Sequence, residues 1–284
     1  MRLLYLTDRL SHRGGAQHHL LDIITAMAQR HDITVAAAAL DKDVCLPAGV
    51  STVRLKGLRA TIATQRGLHG LDALLADADG VHIQNVMNPE ALAAATGPNT
   101  VVTIQDHRVF CPGPGKTLPS GNPCTVPMSD TVCETCCPDT THRERMIALT
   151  SARLDTLHAA AQVLVLSQYM AECLAQVGID SVTVLPPPVP PGPPKSSPGH
   201  GFLVAGRLVH HKGTDQAIAA WRAAESDHPL SLAGLGSETA GIEDALKLGW
   251  LDRDLLRTTM AEARALIFPS RWAEPFGIVG AEAL

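Results

Sequence analysis

The sequence predicts an α/β protein built from two doubly wound domains. Three observations predict it. Short apolar runs alternate with helical patterns, as in a parallel sheet covered on both faces. A proline-rich stretch, LPPPVPPGPPKSSPGHG from Leu185 to Gly201, interrupts that alternation once, and the alternation then restarts. The length of 284 residues is enough for two domains.

Taken in order, RLLYLT (Arg2 to Thr7) reads as a buried strand, and a glycine turn at Gly14-Gly15 follows it. Leu20, Leu21, Ile23, Ile24 and Met27 then recur at helical spacing. DITVAAAAL (Asp32 to Leu40), GVHIQN (Gly80 to Asn85), TVVTIQ (Thr100 to Gln105), AQVLVLS (Ala161 to Ser167) and SVTVLP (Ser181 to Pro186) are further strands. Proline neither donates to a ladder nor continues a helix, so residues 186–200 form a semi-rigid linker between a domain at 1–185 and one at 201–284. Beyond the linker, GFLVAG (Gly201 to Gly206), PLSLAG (Pro229 to Gly234) and ARALIFPS (Ala263 to Ser270) read as strands, with helices at Thr214 to Ala224 and Asp252 to Ala263. In such sheets ligands bind at the carboxyl ends of strands, and a cleft between two such domains is a natural site.

Composition narrows the partners. Hydrophobic residues make up 45% of the chain, and the formal charge of −5 argues against a nucleic-acid backbone as partner. No apolar stretch reaches membrane-spanning length and the first residues are too short for a signal peptide, so the expectation is a soluble cytoplasmic protein. THRERMIALTSARLDTLH (Thr141 to His158) is a candidate amphipathic helix carrying Arg143, Arg145 and Arg153. A solvated face and peripheral contact with the inner face of a membrane are its two readings.

Two motifs leave strands of the second domain. In GRLVHHKG (Gly206 to Gly213), Arg207 and Lys212 sit where an anion meets a helix N-terminus and two cations. In SRWAEPFGIVGAEAL, Pro275-Phe276-Gly277 makes a turn and a helix starts near Gly277 or Ile278. Glu274 lies before that helix and Glu282 inside it, so the two carboxylates can grip hydroxyl groups at two depths of one ligand. The alternative is a capping acid and a surface acid. In the first domain His107, in QDHRVFCP after a strand, is either a cleft residue or a structural hydrogen-bonder.

Seven cysteines are present, and Cys111, Cys124, Cys133, Cys136 and Cys137 share one long loop. Cys133-x2-Cys136 has zinc-knuckle spacing, with Cys111 and Cys124 as two more thiols upstream. Structural zinc, free thiols and disulfides remain open there.

Taken together, GRL-x3-KG, the glycines Gly234 and Gly236, LGWL (Leu248 to Leu251) and PSRWAEPFGIVGAEAL resemble the ordered signature of family-4 retaining glycosyltransferases of the GT-B fold. RGGAQHHLLDI (Arg13 to Ile23) is similar to that family's glycine loop. The resemblance implies a nucleoside-diphosphate-sugar donor and a glycan, lipid or small-molecule acceptor. It implies that Arg207 and Lys212 hold the diphosphate, that backbone N–H groups at Gly277, Ile278 and Val279 add to that grip, and that Glu282 binds the ribose hydroxyls. Glu274 is then expected beside the transferred sugar, His107 near it, and Gly15 where a loop approaches the donor or acceptor closely. The two cations would do what a divalent metal does in other transferases, so no catalytic cofactor is expected. Members of the family continue past this last motif, so a truncated second domain is a further expectation. With it comes the alternative of an inactive sugar-nucleotide-binding or scaffold protein.

Overall fold

The computed structural model describes residues 1–193 and 198–284, and the chain divides into two units, Met1–Pro187 and Pro188–Leu284. Residues 194–197 of the expected linker lie outside the described residues.

In the first unit, β1 (Arg2–Leu10), β2 (Asp32–Leu40), β3 (Ser51–Arg54), β4 (Gly80–Gln84), β5 (Thr100–Ile104), β6 (Gln162–Val165) and β7 (Val182–Val184) form one sheet. Its order is β3-β2-β1-β4-β5-β6-β7 and every pairing is parallel. The helices are α1 (Gly15–Met27), α2 (Leu71–Asp77), α3 (Pro89–Ala95), α4 (Asp130–Cys133), α5 (Thr140–Leu157) and α6 (Gln168–Ala175). Alternation along β1 sends Leu4 and Leu6 to one face and Tyr5 to the other. One face packs against Leu58, Leu92, Leu154 and Leu174, the other against Leu20 and Ile24 of α1. The strand order reverses between β1 and β4, which puts the crevice of this sheet at their carboxyl ends. Buried Asn88 closes the turn after β4: it accepts from the Glu90 N–H as the cap of α3, and its amide donates to the Gly57 and Thr64 carbonyls.

The second unit repeats the plan with four parallel strands in the order β10-β9-β8-β11. They are β8 (Phe202–Ala205), β9 (Leu230–Ala233), β10 (Leu246–Gly249) and β11 (Ala265–Leu266), with α7 (Thr214–Ala223), α8 (Arg253–Glu262) and α9 (Ile278–Glu282). Val204, Leu230, Leu232 and Ile218 form the core of one face, and Leu203, Ala233 and Ala263 that of the other.

Three expectations change. The last expected strand, Ala263 to Ser270, is reduced to Ala265–Leu266; Ile267 donates once more to Leu203, and Pro269 has no N–H with which to continue. The edge strands β3 and β10 were not expected. The basic face of α5 is also absent as a face, because Arg143 and Arg153 point inward. Arg143 donates to Asp130 and to the Cys137 carbonyl, and Arg153 to the carbonyls of Met87 and Arg108. Arg145 is the one of the three left exposed. Among the described residues no helix is long and apolar enough to cross a membrane.

Candidate functional site

The carboxyl ends of β8, β9 and β11 gather most of the residues singled out in the second unit. The chain leaves β8 through Gly206, turns at His210–Lys212, and enters α7 through Gly213 at φ 70°. A side chain at Gly213 would run into the Pro269 carbonyl oxygen, and one at Gly234 into that of Gly206. Backbone therefore lies directly on backbone, and the loops after β8, β9 and β11 are held together without intervening side chains.

Lys212 stands on this floor. Its Nζ donates to Glu274 Oε1 at 2.6 Å and lies 4.9 Å from the centroid of the Trp272 ring. Ser270 Oγ donates to the same carboxylate oxygen at 2.6 Å. Burial alone would raise the Glu274 pKa, but Lys212, Ser270 and Trp272 together hold it below the ordinary value. Burial lowers the Lys212 pKa; Glu274 pulls it up, and Arg207 presses it down again. The lysine proton is held less firmly than usual and the carboxylate is favoured. Arg207 is exposed, and its Nη2 lies 3.4 Å from His211 Nε2. Burial, then Arg207 and Lys212, lower the His211 pKa, which keeps that imidazole neutral between two cations.

Gly277 caps α9 in the left-handed conformation at φ 81°, and Ile278 and Val279 form the first turn. Glu282 is the last residue of α9. Its Oε1 accepts from Arg253 Nε at 3.3 Å, and its side chain is 8% exposed. Arg271 donates to Asp215 at 2.6 Å and to His210 at 2.7 Å. His210, Asp215 and Glu238 are the one group of three described residues whose ligand atoms lie within 4.8 Å of one another. The Arg271 guanidinium already supplies the positive charge there.

In the first unit Gly15 opens α1, while the unusual backbone falls on Gly14, at φ 108°. His107 follows β5 in a single 3-10 turn and is 1% exposed. Its Nε2 lies 3.2 Å from the Tyr169 hydroxyl, and its ring meets Phe110 and Tyr169 edge-on. Nearby, Gln105 Nε2 lies 2.6 Å from His19 Nδ1, and its amide oxygen accepts from Asn85, a residue at φ 60°. Cys111, Cys124, Cys133 and Cys136 share one loop module as free thiols, but among the described residues no three sulfurs lie within 4.8 Å of one another. They do not form a closed ligand shell.

Sequence reasoning missed Ser270, Trp272 and Arg271, although all three lie inside the motif that carries Glu274. It also missed Arg253, which lies a helix away from Glu282, and the polar group His19, Asn85 and Gln105. An asparagine directly after a strand was the available signal for Asn85, since asparagine tolerates positive φ.

Residues 13–192 match the family described as Glycosyltransferase Family 4, and residues 194–284 match Glycosyl transferases group 1. Among solved structures, WaaG, a glycosyltransferase involved in lipopolysaccharide biosynthesis, aligns with a TM-score of 0.62 at 16% identity, covering 99% of this chain and 78% of its own. Sucrose-phosphate synthase from Thermosynechococcus elongatus aligns with a TM-score of 0.62 at 15% identity, covering 99% and 78%. Anabaena Alr3699/HepE in complex with UDP and glucose gives 0.60 at 18%, covering 100% and 78%. At these identities the likeness speaks for the fold. No curated protein sequence gives a significant match.

Proposed function

The chain belongs to glycosyltransferase family 4, with the GT-B fold, and from that premise we propose how it handles its donor. Glycosyltransferases of this family move a sugar from a nucleotide sugar. The reading here is transfer with retention at the anomeric carbon, from a nucleoside-diphosphate hexose to a glycan, lipid or small-molecule acceptor. A uridine donor comes first, because the Anabaena relative was solved in complexes with UDP and with UDP-glucose.

The observation that carries this reading is the placement of Lys212. It is a half-buried ammonium, backed by Trp272, at the turn between β8 and α7, with Arg207 one turn away on the solvent side. Breaking the glycosidic bond leaves negative charge on the diphosphate. Fixed cations aimed at that charge stabilise the transition state more than the ground state. Arg207 and Lys212 supply those cations, and N–H groups at Gly277, Ile278 and Val279 add donors. When the diphosphate arrives, Lys212 turns from Glu274 toward it. Glu274 then keeps its Ser270 hydrogen bond and faces the transferred sugar, and Glu282 accepts from the ribose hydroxyls. His107, buried and 3.2 Å from the Tyr169 hydroxyl, holds the chain after β5 and is assigned a place near the transferred sugar.

Calorimetry with UDP, GDP and ADP tests this. One nucleotide should bind clearly better than the other two. Lys212→Ala should weaken that binding by about 1.5–3 kcal/mol, the scale of a charge-assisted hydrogen bond. Unchanged affinity in the variant would remove Lys212 from the site.

A further inference from the structure

The loop from Cys111 to Cys137 is ordered around sulfur. Between Gly113 and Pro138 the buried residues are Gly115, Lys116, Cys133 and Cys137, and no aliphatic or aromatic side chain is among them. A segment of this length with no apolar interior needs another source of order. The backbone gives it two legs. The first is a hairpin: Thr117 bridges Pro123, Leu118 N–H donates to Asn122 and Cys124 N–H donates to the Lys116 carbonyl at 2.7 Å. Cys111 Sγ accepts from the Lys116 N–H at 3.3 Å, so Cys111 and Cys124 flank the neck of the hairpin. The second leg is α4 and the turn after it, where Cys133 accepts from the N–H groups of Cys136 and Cys137. Arg143 of α5 pins this leg through Asp130 at 2.6 Å and the Cys137 carbonyl at 3.0 Å.

The legs meet across Gly113. A Cβ added there would lie 3.9 Å from Cys136 Sγ and 4.0 Å from Cys111 Sγ. An independent observation concerns charge. Lys116 is 6% exposed, and its ammonium donates to the Val126 carbonyl instead of a carboxylate. A buried cation held by a carbonyl calls for negative charge nearby.

We propose that Cys111, Cys124, Cys133 and Cys136 bind one zinc ion, which draws the hairpin neck and the helical turn together into a tetrahedral four-thiolate centre. Such a centre carries two negative charges, and Lys116 partly balances them. Cys137 is the spare thiol, with its sulfur 4.0 Å from the Pro112 carbonyl. Metal binding releases the four thiol protons, so retention weakens as pH falls. The Cys111 N–H donates to the His107 carbonyl at 2.7 Å. Closing the centre therefore also steadies the turn that carries His107.

The test uses the full chain, purified under reducing conditions and titrated with zinc alone. Elemental analysis should find about one equivalent per chain. Thiol titration of the native protein should then leave four of its seven cysteines unreactive until a chelator is added. Cobalt substitution should give the intense visible bands of a tetrahedral thiolate site. Cys124→Ser and Cys136→Ser should each abolish stoichiometric retention, and Cys45→Ser should leave it unchanged. Far-UV circular dichroism separates loss of metal from loss of fold in each variant. Metal-free protein with all the loop thiols reactive overturns the proposal, and so does loss of thiols in pairs to disulfides without bound zinc.

Discussion

The two units solve the same folding problem with different reserves. In the first, the central strand β1 is packed on both faces, and Leu4, Leu6 and Tyr5 are at most 2% exposed. In the second, α8 and α9 contribute no buried residue. Ion pairs and backbone contact tie together the loops at the carboxyl ends of its strands and α9: Lys212 with Glu274, Arg253 with Glu282, Arg271 with Asp215. The difference teaches where each unit is vulnerable. Apolar truncation should injure β1 of the first unit as it would the β8–β9 core of the second, whereas a change of charge should injure chiefly the loops and terminal helix of the second.

The largest effect should come from Leu6→Ala. Leu6 is fully buried, and its truncation removes transfer free energy and leaves a cavity, at a cost of about 2–5 kcal/mol. Chemical denaturation followed by hydrogen exchange across residues 2–184 measures it. A loss below about 0.5 kcal/mol, the range of a surface change, would show that the first unit is not organised around β1.

A smaller and more specific effect concerns acid. All three tryptophans, Trp221, Trp250 and Trp272, lie in the second unit, so their fluorescence follows that unit alone. The folded pKa of Glu274 is lowered, so its contribution to stability is complete above its unfolded pKa and is lost as pH falls through the folded value. The tryptophan-monitored midpoint should therefore begin to fall below about pH 4.5, and Glu274→Gln should flatten that slope. The lowered pKa of Lys212 acts at the alkaline end, where stability instead rises with pH. An acid limb identical in the variant would assign the loss to other carboxylates.

The smallest effect should come from Leu255→Ala on α8. Leu255 is 50% exposed, so the change should stay within about 0.5 kcal/mol. A loss comparable to that of Leu6→Ala would erase the contrast between the units.

The same contrast explains what could be read from the sequence. Strands buried on both faces announce themselves as apolar runs, and β2 was found at its expected limits, Asp32–Leu40. The edge strands β3, STVR, and β10, LKLG, are mostly exposed, so no apolar run marks them. In the site, the motif order led to the expectation that Lys212 and Glu274 face one ligand, but their pairing with each other depends on how the loops after β8 and β11 close. Arg143 and Arg153 were read as surface charges because arginine usually is exposed. Asp130 and the carbonyls that hold them belong to other segments, which helical spacing cannot reveal.

The glycine contacts beneath Lys212 have a consequence for descent. At Gly213 and Gly234 any side chain would occupy space already filled by a carbonyl oxygen. This floor is thus closed to single substitutions, and change must be written on what stands upon it outside the phosphate grip: His211 and Arg271. A saturation library of this unit should retain glycine at 213 and 234 while these two positions diversify, so that donor preference can change without the floor being rebuilt.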